Sequence, residues 1–190
     1  MSRQNEIAGR MAEAVVKRLV ARKLAEIKDE ARAREVVRHV LSENFLAEEK
    51  IDSEVKALLL DNAEAHQGLG LRLQASLHHG QDQTGPRAGV HALMRMSRER
   101  LFGLAERIVG DLAATEGVVI RQIADDKVRN QLRTEIFRVL EEEGRLEETI
   151  DQEVRKTLSS YSRPAPEGSS EWEVLYNKTR EEVYKRRLRL

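Results

Sequence analysis

The sequence predicts an all-α fold, with two tandem small helical bundles joined by a glycine-rich linker and an extra C-terminal helix. Three observations lead to this prediction. Alanine, leucine, glutamate, lysine and arginine make up about half of the 190 residues, a composition typical of long helices. Aromatic residues are only 4% of the chain, too few for an all-β protein. Apolar residues recur at helical spacing in each half of the chain.

Two segments occur twice in the same order. Residues 11–19 align with residues 104–112 at an offset of 93, and residues 51–56 align with residues 150–155 at an offset of 99. The second pair shares the sequence Ile-Asp-x-Glu-Val, and matched order at near-matched spacing favours duplication over chance similarity. We therefore expect three regions: a first helical repeat over 1–66, a linker over 67–91 and a second helical repeat over 92–190.

Each repeat contains three amphipathic patterns, with apolar residues three or four positions apart, which predict three helices. In the first repeat the apolar stripes are Ile7, Met11, Val15 and Leu19; Val36, Val37, Val40, Leu41 and Phe45; and Ile51, Val55, Leu58 and Leu59. In the second repeat they are Leu101, Leu104, Ile108 and Leu112; Val128, Leu132, Ile136, Val139 and Leu140; and Ile150, Val154, Leu158 and Tyr161. Because no helix can bury its own stripe, each repeat is expected to close as a small bundle.

Two helix ends in the second repeat have recognisable signals. Ser97 is placed to cap its first helix, with Glu99 favourably positioned in the first turn. Gly144 is predicted to end its second helix, because a left-handed residue is favoured there.

Residues 67–91 hold five of the eleven glycines together with Pro86, which predicts a linker or a loosely ordered loop. Residues 69–73 alternate like a strand but would have no strand partner, so we interpret them as a frayed helix or an irregular segment. The same region contains His78 and His79. A flexible loop does not preorganise imidazole ligands, so no metal site is expected there.

The C-terminal helix is predicted from a capping box formed by Ser170 and Glu173. It follows residues 162–168, which contain two prolines and a glycine and are expected to form a loop. One face of the helix carries Trp172, Tyr176, Thr179 and Val183.

The segment from Pro166 to Tyr176, with Glu-Gly-Ser-Ser-Glu-Trp at its centre and a charged helix behind it, resembles the ending of a bacterial family known as domain of unknown function 507. Residues 96–101 and 150–154 are similar to the same family. The resemblance covers about residues 94–190, whereas residues 1–66 look like a diverged copy without the Glu-Gly-Ser-x-x-Trp ending. It implies a helical fold and a bacterial cytoplasmic origin, and it implies no activity.

Acidic side chains crowd residues 139–154, whose net charge is −6. They indicate either a divalent-cation site or an acidic docking surface, although their spacing matches no EF-hand loop. The favoured alternative is a solvated helix–turn–helix corner, whose acids also suit the N-terminus of the next helix. The candidate partner-binding residues in this segment are Glu142, Glu143 and Glu147.

Residues 178–190 carry six basic and two acidic side chains, a net charge of +4. They could bind phosphates of nucleic acid or an anionic membrane surface. They equally suit the C-terminus of their own helix, where cations are favoured, or pairing with the acidic segment. Such polarity also suits head-to-tail self-association. The candidate contact residues here are Arg186, Arg187 and Arg189.

Trp172 and Tyr176, together with Tyr184, form the richest aromatic cluster of the sequence. Tryptophan and tyrosine dominate interface hot spots, which makes Trp172 and Tyr176 candidates for partner binding. The favoured alternative is that Trp172 anchors the last helix on the second bundle, where burial of its ring contributes about 2–3 kcal/mol.

The formal net charge is zero, there is no cysteine, and no apolar run is long enough to span a membrane. No nucleophile elbow, phosphate loop or paired acid and base is recognisable, so we expect no catalytic site, no cofactor and no metal. With no export signal, a cytoplasmic location is expected. The sequence favours a non-enzymatic adaptor or assembly component that binds a protein partner or itself, and the alternative is nucleic-acid binding through residues 178–190.

Overall fold

The computed structural model describes residues 3–65, 97–161, 163 and 165–188, and these residues are mostly helical, as predicted. They form five helices and two short strands. In chain order the elements are α1 (Arg3–Ala21), β1 (Glu26–Ile27), α2 (Glu30–Ala65), α3 (Arg98–Ala113), β2 (Val118–Val119), α4 (Asp126–Ser159) and α5 (Ser170–Leu188). The predicted linker over 67–91, with His78 and His79, lies outside the described residues.

The order helix, short strand, long helix therefore occurs twice, first in α1–β1–α2 and again in α3–β2–α4. The two strands pair with each other in antiparallel orientation, with Glu26 opposite Val119 and Ile27 opposite Val118. This small sheet was not predicted, because two residues are too few to show the alternation that identifies a strand.

The chain divides into two compact units that do not coincide with the predicted repeats. The described residues of the first unit come from 1–48 and 92–145, and those of the second come from 49–91 and 146–190. Both α2 and α4 cross this division. The repeats were defined by sequence similarity and the units by compactness, so the repeat boundaries at 66 and 92 stay a prediction.

The core of the first unit is built from the stripes that the sequence predicted. All four apolar residues predicted on α1 are buried, as are all four on α3. The long helices add their own buried stripes, so that helical periodicity located the core correctly. Its largest buried side chains are Ile7, Met11, Leu19, Leu41, Phe45, Ile108, Leu112, Leu132, Ile136 and Leu140.

Short polar residues begin three of the helices. The backbone N–H of Arg100 donates to Oγ of Ser97 at 3.3 Å, which confirms Ser97 as the cap of α3. Asp29 accepts from the N–H of Arg32 at 2.9 Å, and Asp125 accepts from the N–H of Lys127 at 2.8 Å. Each carboxylate satisfies a backbone donor that has no partner within its helix.

The C-terminus of α1 closes with an unusual residue. The N–H of Leu24 donates to the carbonyl of Leu19 at 3.0 Å, and the N–H of Lys23 donates to the carbonyl of Val20 at 2.9 Å. These two bonds define a Schellman motif, which requires a left-handed residue after the helix. Lys23 occupies that position with φ of 56°, where glycine is the usual residue.

Two predicted helix ends are wrong. Gly144 lies within α4, which continues to Ser159, and α2 continues through 46–50 to Ala65. Segment 46–50 contains only good helix formers, so nothing in it stops the helix. A single glycine inside an exposed helix costs only about 1 kcal/mol, which the packing of α4 outweighs.

Part of the predicted third stripes is also wrong. Ile51, Val55 and Leu58 on α2 are 49%, 47% and 61% exposed, although the sequence predicted them to be buried. Tyr161 follows the end of α4 and is exposed as well. Ile150, Val154 and Leu158 of the other third stripe are buried, so similar sequences have different environments in the two halves.

Candidate functional site

The second unit is organised by the contact between α5 and the last part of α4. One face of α5 carries the four residues predicted from the sequence, and all four are buried. An apolar cluster forms where this face meets α4, and its members are Ile150, Val154, Leu158, Trp172, Tyr176 and Val183. The rings of Trp172 and Tyr176 stack with their centroids 4.7 Å apart. The anchoring position expected for Trp172 is therefore the one observed.

The cap of α5 is one residue earlier than predicted. The N–H of Trp172 donates to Oγ of Ser169 at 3.2 Å, and the N–H of Glu173 donates to the carbonyl of Ser169 at 3.0 Å. Ser170 is already the first residue of the helix. The capping-box spacing of Ser170 and Glu173 therefore selected the wrong one of two adjacent serines.

Polar contacts fix α5 on α4 inside the same interface. Nη2 of Arg180 donates to Oε2 of Glu147 at 3.1 Å, and the two side chains are 8% and 0% exposed. The hydroxyl of Tyr176 donates to Oδ1 of Asp151, whose Oδ2 accepts from Nε of Arg155 at 2.6 Å. Charges removed from water need such partners.

Exposed arginines at the end of α5 contact α4 as well. Glu153 accepts from Nε of Arg187 at 2.8 Å and from Nη2 of Arg186. The hydrogen bond from Arg187 is the main reason that the pKa of Glu153 is lowered; desolvation opposes it, and the charges of Arg186 and Arg187 add to the lowering. The C-terminal cations thus pair with the acidic segment, which was one of the alternatives predicted for them.

Arg155 connects α4 to the loop before α5. Its guanidinium contacts Asp151 and also Glu167. Burial acts to lower the pKa of Arg155, but the hydrogen bond to Asp151 and its charge, together with Glu167, outweigh burial and raise that pKa.

The remaining predicted acids lie in the first unit and contact α1. Oε2 of Glu142 accepts from Arg18 at 2.7 Å, and Glu143 lies 3.9 Å from Nη2 of Arg10. Glu135, which was not among the candidate residues predicted from the sequence, is nearly buried, and its Oε2 lies 3.6 Å from Nη1 of Arg18. The acidic segment is part of a continuous helix and not a helix–turn–helix corner, because α4 does not end at residue 144.

No group of three or more histidine, aspartate or glutamate side chains in the described part of the chain is arranged to hold a metal ion. Carboxylates here face arginines and one tyrosine. A groove of about 680 Å³ lies beside β1 in the first unit, lined in part by Leu24, Ile27, Lys23 and Lys28. Its lining also includes Glu26, which accepts a hydrogen bond from Nη2 of Arg121.

The most conspicuous surface is the exposed part of α2. Ile51, Val55 and Leu58 follow one another at spacings of four and three residues and therefore lie on one face of the helix. We call these three residues the α2 stripe. The sequence predicts this stripe but places it in a core. The signal that could have corrected this was the absence of a Trp-containing ending in the first half, because that ending forms the helix that covers the equivalent stripe of α4.

Comparison with known families decides where the chain belongs. The family described as protein of unknown function (DUF507) matches residues 1–188. The chain belongs to the DUF507 family. From the sequence, residues 1–66 were expected to be a diverged copy and the resemblance covered only about residues 94–190. The family match includes both halves of the chain.

No curated protein matches this DUF507 chain. No helix among the described residues of this family member is long and apolar enough to cross a membrane.

Proposed function

We propose that this DUF507 protein is a non-enzymatic helical adaptor or assembly component of the bacterial cytoplasm, which binds a protein partner or a second copy through the α2 stripe. The exposure of Ile51, Val55 and Leu58 is the observation that carries this proposal. Contiguous aliphatic side chains on an exposed helix face are typical of helix–helix recognition. Their burial by a partner would release water from a surface that the described residues of the chain leave open.

The residues predicted for partner binding enter this proposal with different weights. Glu142, Arg186 and Arg187 stay substantially exposed while they pair within the chain, so we assign them secondary, charged contacts. Trp172, Tyr176 and Glu147 are buried between α4 and α5, so we assign them to the fold. Arg189 lies outside the described residues, and Glu143 is assigned no separate role.

We further propose that the two halves are a tandem duplication, with repeats over 1–66 and 92–190. The repeated element order supports it. The register of the small sheet also supports it. Val118 and Val119 lie 92 positions after Glu26 and Ile27, so they are the equivalent residues of the second half. Exchanging each residue for its equivalent leaves the observed pairing, Glu26 with Val119 and Ile27 with Val118, unchanged. Two copies of one strand related by a twofold axis pair in this way.

The test of the proposed function is affinity purification of the tagged chain from its bacterial host, with and without nuclease. The variant Val55→Lys places a charge in the middle of the α2 stripe. Leu46→Lys is the matched control, because Leu46 is 59% exposed on the same helix and lies about 120–180° around it from the stripe. Both positions are exposed, so both variants are expected to fold like the wild-type chain.

The proposal expects a discrete protein that survives nuclease treatment, is retained by Leu46→Lys and is lost by Val55→Lys. Capture that is equal for the two variants would contradict the role of the α2 stripe. Co-purifying nucleic acid that is lost when residues 185–190 are removed, with a steep salt dependence, would instead support the alternative function.

A further inference from the structure

The α2 stripe has a counterpart in the same chain that is already covered by a helix. The residues of α4 that meet α5 have the same residue types 99 positions earlier on α2. The matched pairs are Glu48 and Glu147, Ile51 and Ile150, Asp52 and Asp151, Glu54 and Glu153, Val55 and Val154, and Leu59 and Leu158. Lys56 also keeps the charge of Arg155.

The environments of two of these matched pairs differ. Ile150 and Val154 are fully buried against α5, whereas Ile51 and Val55 are about half exposed. We infer that residues 48–59 of α2 form a second docking site for a helix of the α5 type, supplied by a partner protein. This inference rests on the proposed function and specifies the chemistry of the partner.

The contacts of α5 define what such a helix carries. An aromatic pair four residues apart, Trp172 and Tyr176, packs on the aliphatic stripe. The tyrosine hydroxyl reaches the aspartate of the Ile-Asp-x-Glu-Val sequence. Arg186 and Arg187, about 14 residues after Trp172, donate to Glu153, the glutamate of the same Ile-Asp-x-Glu-Val sequence. The expected occupant is therefore an amphipathic helix with a tryptophan, a tyrosine four positions on, and a basic end.

Charge selects this occupant over a second α2. Residues 48–59 carry a net charge of −2, and so another α2 would not complement them. Oε1 of Glu54 lies 3.9 Å from Nζ of Lys50. Because both side chains are exposed, this ion pair contributes little free energy, and an arginine of the partner can replace Lys50. Glu48 is engaged by Arg100, and Glu54, the counterpart of Glu153, is the acid expected to meet the partner's arginines.

The α5 helix of a second copy is a less suitable occupant. Transfer of α5 to another chain would expose Ile150 and Val154 and leave Glu147 without Arg180. A separate protein with an α5-type helix leaves the second unit intact. The same sequence supplied as a free peptide is consequently a fair probe of the site.

The experiment titrates the full chain with a fluorescently labelled peptide of residues 166–188 and follows the anisotropy of the label. We expect saturable binding of one peptide per chain. Val55→Lys and Ile51→Lys should each weaken this binding at least tenfold, and Leu46→Lys should change it less than twofold. The same peptide with Trp172→Ala should also bind at least tenfold more weakly.

A photoreactive group on the peptide then locates the bound peptide. Cross-links to residues 48–59 support the inference. Cross-links to residues 147–158, or binding that Val55→Lys leaves unchanged, would mean that the peptide replaces α5 on α4 and would overturn it. Absence of binding at millimolar peptide would also overturn it. If Val55→Lys nevertheless abolishes capture of the host partner, the proposed function stands and only the type of helix is wrong.

Discussion

Arg180 and Glu147 form an ion pair inside the contact between α5 and α4, with Nη2 and Oε2 3.1 Å apart and both side chains almost completely buried. An unmatched buried charge is costly, so this pair fixes the position of α5 on α4 more selectively than aliphatic packing does. It also joins the basic and acidic segments that the sequence had offered as separate binding surfaces.

Removal of one member of this pair should destabilise the protein severely. Arg180→Ala leaves the carboxylate of Glu147 buried without Arg180, and we expect a loss of about 3–5 kcal/mol in the free energy of unfolding. Replacement of both residues by leucine should recover most of that loss, because neither position then carries a buried charge. Urea denaturation followed by tryptophan fluorescence measures the free energy of unfolding of both variants. A loss below about 1 kcal/mol for Arg180→Ala would mean that the ion pair contributes no more than an exposed one.

Trp172 should act as an anchor of the fold. Trp172→Ala removes a large ring from the cluster with Tyr176 and Ile150, and we expect it to lower the free energy of unfolding by about 3–5 kcal/mol. Val174→Ala on the same helix is the control, since Val174 is 69% exposed and should change stability by less than about 0.5 kcal/mol. A stable Trp172→Ala variant that has lost its partner would assign the ring to docking instead.

Acid should weaken the contact between Glu153 and the end of α5. The pKa of Glu153 in the folded protein lies below its ordinary value of 4.5, so the contact stabilises the fold above that pH. This stabilisation is lost as the pH falls below 4.5 through the lowered pKa. As the pH falls through this range, the free energy of unfolding of Glu153→Gln should therefore decrease less than that of the wild-type chain. Measurement of the free energy of unfolding against pH tests this, and equal decreases for the two proteins would contradict the role of the Glu153 carboxylate.

Glycine at position 23 should stabilise the first unit. Lys23 adopts a left-handed conformation that costs a residue with a side chain about 1 kcal/mol, and glycine adopts it freely. Glycine has more conformational entropy than lysine in the unfolded chain, and the cost of ordering it offsets part of this gain. Lys23→Gly should therefore raise the free energy of unfolding by about 0.5 kcal/mol. Arg22→Gly, one position earlier, is expected to lower it, and equal thermal midpoints for the two variants would refute the prediction.

Local regularities of the sequence predicted much of the helical structure. The stripe of Ile7, Met11, Val15 and Leu19 and the cap at Ser97 needed only neighbours within a few turns, and both are confirmed. The end expected at Gly144 failed because a breaker was given more weight than the helix formers on each side. The sheet between β1 and β2 escaped detection because its strands are two residues long and 92 positions apart.

Pairings between distant charges could not be predicted. Arg18 contacts Glu142 across 124 positions, and any of the 33 basic residues could in principle face any of the 33 acidic ones. The exposure of Val55 is a failure of a different kind. Periodicity shows that a face is apolar but not whether another element covers it.

The division of the first unit between residues 1–48 and 92–145 has a consequence during synthesis. When residue 48 leaves the ribosome, about 100 more residues must be added before the rest of that unit exists. At bacterial elongation rates of about 5–20 residues per second, the delay is roughly 5–20 s. Until the end of that interval Arg10 and Arg18 of α1 lack Glu143 and Glu142 of α4, so α1 stays incompletely packed and accessible to chaperones while the chain is still being made.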